Sequence, residues 1–204
     1  NLYNFMDGSD GLAGGMAFFG FAGYGVAAWL SGSTAFALLS FSVAAAAAAF
    51  LVFNFHPARI FMGDVGSVPL GFLAGAFGAI GWLQRDWSWW FPVLVFSPFI
   101  VDASVTLVRR LLQREKVWQA HRDHYYQRLV LMGWGHRDTA LAEYGLMLAC
   151  AGVGLLAMTQ GAAAQFAVLS GIVVAYLAII AALERAWSRF KVVAREHGAA
   201  DKRR

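Results

Sequence analysis

Two aspartates three residues apart, Asp7 and Asp10, lie in the opening stretch Asn1-Leu-Tyr-Asn-Phe-Met-Asp-Gly-Ser-Asp-Gly11, among amides and glycines and directly ahead of an apolar run. On one helical turn they would share a face and offer oxygen ligands to a hard divalent cation, or a base and its orienting partner. The same pair can instead cap a helix start, where carboxylates accept from free backbone amides and favour the helix dipole. An EF-hand calcium loop is excluded, because the twelfth position counted from Asp7 is Phe18 and not a glutamate.

A second polar segment, Phe53-Asn-Phe-His-Pro-Ala-Arg-Ile-Phe-Met-Gly-Asp-Val-Gly-Ser67, has Asp64 as its lone acid, with Gly63 and Gly66 beside it. Glycines there permit close backbone approach to a phosphate or sugar. Phe61, three residues before the acid, suits stacking on a base if exposed. The plainer alternative is a connector shaped by Pro and Gly, with Phe61 dipped into the interface. Neither a Walker loop nor a dinucleotide fingerprint is present. The third segment, Arg109–Asp138, holds His121-Arg-Asp-His-Tyr-Tyr-Gln-Arg128. Two histidines near Arg122 and Arg128 can hydrogen-bond a pyrophosphate or ligate a metal, and the surplus of charge alone would suit anionic lipid. Anion binding is favoured over zinc, because the only cysteine is Cys150.

The elements that must carry these segments are membrane helices. The 204 residues are 59% hydrophobic and 14% charged, with mean hydropathy +0.56, against about 25% charged in an ordinary soluble domain. Disorder is excluded by the same apolar content, and one cysteine excludes an internal disulfide framework. A span takes about 20 apolar residues. Stretches of that order lie at Leu12–Leu30, Thr34–Phe53, Gly66–Leu83, Trp89–Val108, Ala140–Met158 and Ala162–Leu183. The period-two alternation of a barrel is absent, so the expected fold is an all-α, polytopic integral membrane bundle of about six helices. The run Ala44–Ala49 offers a smooth face for close helix packing.

Of 16 Lys and Arg, seven fall within Arg109–Asp138 and seven from Glu184 onward. The positive-inside rule places both segments in the cytoplasm. Alternation over six spans then gathers all three polar segments and the tail on that side. Trp87, Trp89 and Trp90 are expected in an interfacial belt on the other side. The chain divides into a membrane core, 1–183, and a basic tail, 184–204, which either rests on anionic headgroups or is a solvated helix end. Asp102, about two helical turns before Arg109 and Arg110, either orients the site or pairs with a basic group.

Together the three segments resemble the polyprenyl-phosphate N-acetylhexosamine-1-phosphate transferases. The resemblance rests on the Asn-x-x-Asn-Phe-Met-Asp-Gly-x-Asp-Gly pattern of Asn1–Gly11, on Phe-Asn-x-x-Pro-Ala-x-x-Phe-Met-Gly-Asp-x-Gly-Ser at Phe53–Ser67, and on His121–Leu129. It implies attack of a polyprenyl (undecaprenyl) phosphate on the β-phosphate of a UDP-N-acetylhexosamine, releasing UMP with Mg2+, or Mn2+ in its place. By this resemblance Asp64 would ligate the metal, Phe61 would stack on uracil, and Asn4, Asn54 and Gly63 would line the nucleotide pocket. Asp7, Gly8 and Asp10 would build the same pocket and its catalytic carboxylates. His121, Arg122, His124 and Arg128 would hold the diphosphate or sugar.

The resemblance also implies a bacterial inner membrane enzyme with its active face cytoplasmic, lipid neighbours, no nucleic-acid partner, and a homodimer by analogy. His-Arg-Asp-His-Tyr-Tyr-Gln is closer to enzymes that start O-antigen and related lipopolysaccharide or cell-envelope polymers than to the peptidoglycan-precursor enzyme. The family's earlier aspartate-rich motif is not in these residues, so this chain alone is expected to be inactive, with the rest of the site upstream. The competing readings are an inactive relative, or a transporter or lipid-binding scaffold. A transporter would be expected to place polar groups near the midplane.

Overall fold

The computed structural model describes residues 2–115 and 123–201, with side chains described as far as Val193. Its helices are α1 (Leu2–Phe5), α2 (Leu12–Ser31), α3 (Thr34–Asn54), α4 (Gly63–Leu83), α5 (Trp90–Val95), α6 (Ser97–Leu112), α7 (Tyr125–Leu129), α8 (Gly135–Met158) and α9 (Ala162–Asp201). A π-helical turn, Val130–Trp134, joins α7 to α8. No strand occurs among the described residues. The protein is an all-α, multi-pass membrane protein.

Small residues set the packing. α2 and α3 form a close antiparallel pair, with Ala37, Ser40, Ala44 and Ala47 buried at helical spacing along α3. On α2, Gly14 meets Leu51 and Phe50 while Gly25 meets Phe41. A turn between the two helices is closed by Gly32, whose φ of 91° is left-handed and whose N–H reaches back to Trp29 O. α8 packs along the same α2, and an aromatic core of Phe21, Tyr24, Phe77, Trp87, Phe91 and Phe96 fills the bundle beside it.

Among the described residues, five helices are long and apolar enough to span a membrane: those over Leu12–Ser31, Thr34–Asn54, Gly63–Leu83, Tyr125–Met158 and Ala162–Val193. The fourth expected span, Trp89–Val108, is instead split into α5 and α6. Pro98 sits in the first turn of α6, where its missing N–H costs least, and the backbone turns at Phe96. The two pieces stay linked by bonds from Phe96 N–H to Pro92 O and from Ile100 N–H to Phe96 O. The expected tryptophan belt also needs correcting. Trp89 faces outward, but Trp87 and Trp90 are buried, and Trp87 Nε1 donates to Gly78 O at 3.0 Å. α9 continues through position 184 without a break.

Candidate functional site

The turn Asp7–Gly11 between α1 and α2 is fixed from several directions. Asp7 N–H bonds Asn4 O, and Leu12 N–H bonds Ser9 O. Gly11 has φ 74°, and a Cβ there would lie 2.8 Å from Tyr144 Oη and 3.1 Å from Phe55 Cδ2, so both conformation and space require glycine. Its N–H donates to Asn54 Oδ1 at 3.1 Å, and its carbonyl accepts from Tyr144 Oη at 2.7 Å. Asn54, buried at the end of α3, donates with its other amide atom to Ile60 O at 2.9 Å. Both ends of that amide are therefore engaged with backbone, and Asn54 acts as a strut between the first two polar segments.

Those segments meet again through the acids. The Asp7 carboxyl lies near the backbone N–H of Gly63, which has φ 60° and begins α4. Burial pushes the half-buried Asp7 carboxyl above the usual carboxylate range, and the Asp64 charge nearby adds to that push, against the Gly63 N–H. Asp64 itself is exposed in the first turn of α4, and Phe61 is 76% exposed just before it. Asn4 Oδ1 accepts from Ser67 Oγ one turn further along α4. Asp10 takes His56 Nδ1 at 2.7 Å and Ala58 N–H at 3.2 Å. Partial burial alone would raise the Asp10 carboxyl, but these bonds and the neighbouring His136 together hold it below the usual range.

The third segment joins from the opposite side of the turn. Gly8 lies so close to Tyr126 that an added Cβ would collide with its hydroxyl. His124 stacks between Phe5 and Tyr126, at ring-centroid distances of 6.5 and 5.8 Å. Asp102 on α6 organises this corner: it accepts from His124 Nδ1 at 3.2 Å and from the N–H groups of Tyr125 at 2.9 Å and Tyr126 at 3.1 Å. It thus caps α7 and orients His124 rather than pairing with Arg109 or Arg110. Arg128 turns away from this corner. Its guanidinium bonds Glu184 Oε1 at 3.0 Å and stacks over Tyr125 and Trp187, and Glu184 also takes Arg109 and the Tyr125 hydroxyl, each at 2.8 Å. His121 and Arg122 lie outside the described residues.

Asn4, Asp7, Gly8, Asp10, Asn54, Gly63 and Asp64 are therefore gathered at one end of the bundle, with His124 joined through Phe5 and Tyr126. That convergence joins three segments distant in sequence. A model of glycosyl transferase family 4 matches residues 1–81. A probable undecaprenyl-phosphate N-acetylglucosaminyl 1-phosphate transferase of Bacillus subtilis is 34% identical over 146 residues, covering 71% of this chain and 41% of that protein. The chain belongs to glycosyl transferase family 4.

Phospho-N-acetylmuramoyl-pentapeptide-transferases of the same kind are also similar. That of Levilactobacillus brevis is 31% identical over 162 residues, covering 79% of this chain and 46% of that protein. The Geobacillus sp. WCH70 enzyme is 31% identical over 158 residues, with 75% and 47% covered. The chain thus spans under half the length of these family 4 relatives.

Several residues of this end escaped sequence reasoning. His56 was visible in the second segment, but nothing in its spacing tied it to Asp10. His136 stacks on His56 at 6.0 Å and hydrogen-bonds Ser9 Oγ at 2.8 Å through Nδ1. Glu184, at the inner end of the basic tail, carried no signal of its own.

The donor chemistry suits a small hard cation. Asp7, half-buried, and the exposed Asp64 lie near one another, and among the described residues no three His, Cys, Asp or Glu side chains cluster to hold a metal. Mg2+ is commonly held by one or two carboxylates with water and substrate phosphates completing its shell.

Proposed function

We propose that the protein transfers an N-acetylhexosamine 1-phosphate from a UDP-sugar to a polyprenyl phosphate, releasing UMP. The observation that carries this reading is that Asp7, Gly63 and Asp64 lie together at one end of the bundle, beside the exposed aromatic Phe61. A phosphoryl-type displacement asks little covalent chemistry of the protein and relies on positioning and charge. Mg2+ held by Asp64, with Asp7 beside it, would neutralise the diphosphate. Phe61 then stacks on the uracil face, and His124, locked by Asp102, faces the diphosphate or sugar. Because a carboxylate only accepts, Asp102 fixes the proton of His124 on Nδ1.

An apolar cavity supports the lipid half of this reading. An apolar cavity of about 550 Å³ lies between α4 and the α5–α6 pair, walled by residues including Ala74, Phe96 and Phe99, and it reaches Leu2 and Tyr3 beside Asn4. A polyprenyl chain lying there brings its phosphate to the carboxylates. In this reading the site end faces the cytoplasm, where the basic segments belong by the positive-inside rule and where a soluble nucleotide sugar is found. The donor sugar and the polymer it starts are left to assay, with UDP-N-acetylglucosamine or a 6-deoxy relative as the first candidates.

The test is Asp64→Asn in membranes containing the full-length protein, followed by UMP release from UDP-N-acetylglucosamine. Loss of release with an unchanged melting temperature is expected, because Asp64 is exposed. Near-normal turnover would refute the metal role.

A further inference from the structure

The helix that presents His124 is not held in place by its own hydrogen bonds. α7 has five residues, far fewer than a helix needs to be stable alone. The π-helical turn after it carries Gly133 and Gly135 at φ 100° and 72°, left-handed values that interrupt the path into α8. The position of α7 is therefore set by groups outside it. Asp102 takes its first N–H groups from α6, and a second hold comes from α9.

That second hold centres on Glu184. One carboxylate oxygen, Oε1, accepts from Arg109 Nη1 on α6 at 2.8 Å, from Tyr125 Oη at 2.8 Å and from Arg128 Nη1 at 3.0 Å. Tyr125 and Arg128 stand three residues apart, on one face of α7, and both are buried. The Arg128 guanidinium also lies over the rings of Tyr125 and Trp187, at 5.4 and 5.2 Å. Arg109 reaches the start of the same element, because its Nη2 donates to the carbonyl of Asp123, the residue before His124, at 2.8 Å. Loss of the Glu184 charge would leave the buried Arg128 without its ion-pair partner, which is unfavourable.

α9 can serve as a fixed support because it is tied to the bundle independently of α7. No residue of α9 from Ala162 to Val193 is buried, and in lipid apolar contact alone favours a neighbouring helix little over the lipid chains. Polar ties supply the attachment: Gln165 Oε1 accepts from Trp90 Nε1 at 3.2 Å, and the Tyr176 hydroxyl bonds Ser97 Oγ at 2.7 Å.

We propose that Glu184 is a positioning residue: anchored through α9, it holds α7 by way of Tyr125, Arg128 and Arg109, and so fixes where His124 meets the diphosphate or sugar. That last step rests on the transfer reading above, whereas the hold on α7 does not. In this assignment Arg128 carries the hold and does not reach the substrate.

The test is hydrogen exchange read by mass spectrometry, with titration calorimetry, on the full-length protein in detergent without lipid acceptor. Glu184→Gln should speed exchange of the Tyr125–Leu129 amides about tenfold, the factor for one charge-assisted hydrogen bond, and leave α2 and α3 unchanged. It should weaken UDP-N-acetylglucosamine by a similar factor and leave UMP affinity as it was, since UMP lacks the groups that His124 meets. Tyr125→Phe, which removes only the hydroxyl bonded to Glu184, should give the same changes to a smaller degree and guards against a folding defect in the first variant. Gln165→Leu loosens α9 without touching α7 and should leave α7 exchange unchanged. Unchanged α7 exchange in Glu184→Gln, or an equal gain in Gln165→Leu, would overturn the proposal. Equal loss of both ligands would reduce Glu184 to general support and overturn its positioning role. A parent protein that binds neither ligand would refute the transfer reading instead, and the exchange result would still decide the hold on α7.

Discussion

The Asp102 carboxylate and the His124 imidazole are joined at 3.2 Å, both buried, and the same carboxylate takes the first two free N–H groups of α7. Asp102 therefore fixes both the histidine and the helix that presents it. Asp102→Ala leaves two backbone donors and one ring donor without their acceptor. The expected cost is about 2–4 kcal/mol, read as a lowered unfolding midpoint. Asp102→Asn keeps one acceptor and should lose less stability, yet it no longer selects the Nδ1 proton of His124. A fall in UMP release in Asp102→Asn larger than its loss of folded protein separates orientation of His124 from plain structural support. Equal falls would reduce Asp102 to a cap.

Asp10 and His56 predict how the site end responds to acid. The folded-state pKa of Asp10 lies below its unfolded value, so its contribution is present above the usual carboxylate range and disappears as pH falls through the folded pKa. Asp10→Asn should be less stable than the parent at pH 7, and the two should converge as pH falls below the ordinary aspartate range. Because the pair is partly open to solvent, the difference at pH 7 should be below about 1 kcal/mol. A gap that widened in acid would contradict the direction of the shift.

Asp7 behaves in the opposite sense. Its raised pKa means that ionisation in the folded protein is unfavourable, so its contribution is greatest below the unfolded pKa and is lost as pH rises through the folded one. A divalent cation would relieve this penalty. Mg2+ at a hundred times its dissociation constant stabilises a protein by about 2.7 kcal/mol. The rise in melting temperature with Mg2+ should be larger at pH 7.5 than at pH 4.5, and Asp64→Asn should abolish it. An Mg2+ shift that is independent of pH, or that survives in Asp64→Asn, would place the cation elsewhere.

How much of this was legible depends on the kind of information each residue carries. Helix positions could be read from apolar runs because lipid demands a fixed length, and α2, α3 and α4 begin and end within a few residues of the expected limits. The break at Phe96 was harder, since Pro98 sits at an N-terminal position that helices tolerate, and composition alone does not register a new start. At the site, Asp7, Asp10 and Asp64 stood out because acids beside an apolar run are rare and glycines frame them. Asp102 was visible as a costly buried acid, but its partners are backbone groups of α7, which no residue type announces. Arg128 was only partly legible: its charge suggested a phosphate, and only the packing of α9 reveals Glu184 as its counter-ion. The Asp10–His56 and Ser9–His136 pairs join positions far apart in the chain, and such pairing needs the fold.

Phe61 gives the most selective handle on nucleotide binding, because its ring is mostly exposed and supports little of the core. Phe61→Ala should leave the melting temperature within about 0.5 kcal/mol of equivalent stability, as for other surface changes. Its effect should fall on the nucleotide instead. Loss of one base-stacking contact is worth about 1–3 kcal/mol, so the dissociation constant for UMP should rise between about fivefold and a hundredfold or more. Phe61→Trp, which retains a flat face, should recover most of the binding, whereas Phe61→Leu, apolar but not planar, should not. Titration calorimetry with UMP distinguishes these outcomes. Recovery in Phe61→Leu equal to that in Phe61→Trp would mean that the ring serves as apolar surface only, and unchanged affinity in Phe61→Ala would remove it from the nucleotide pocket.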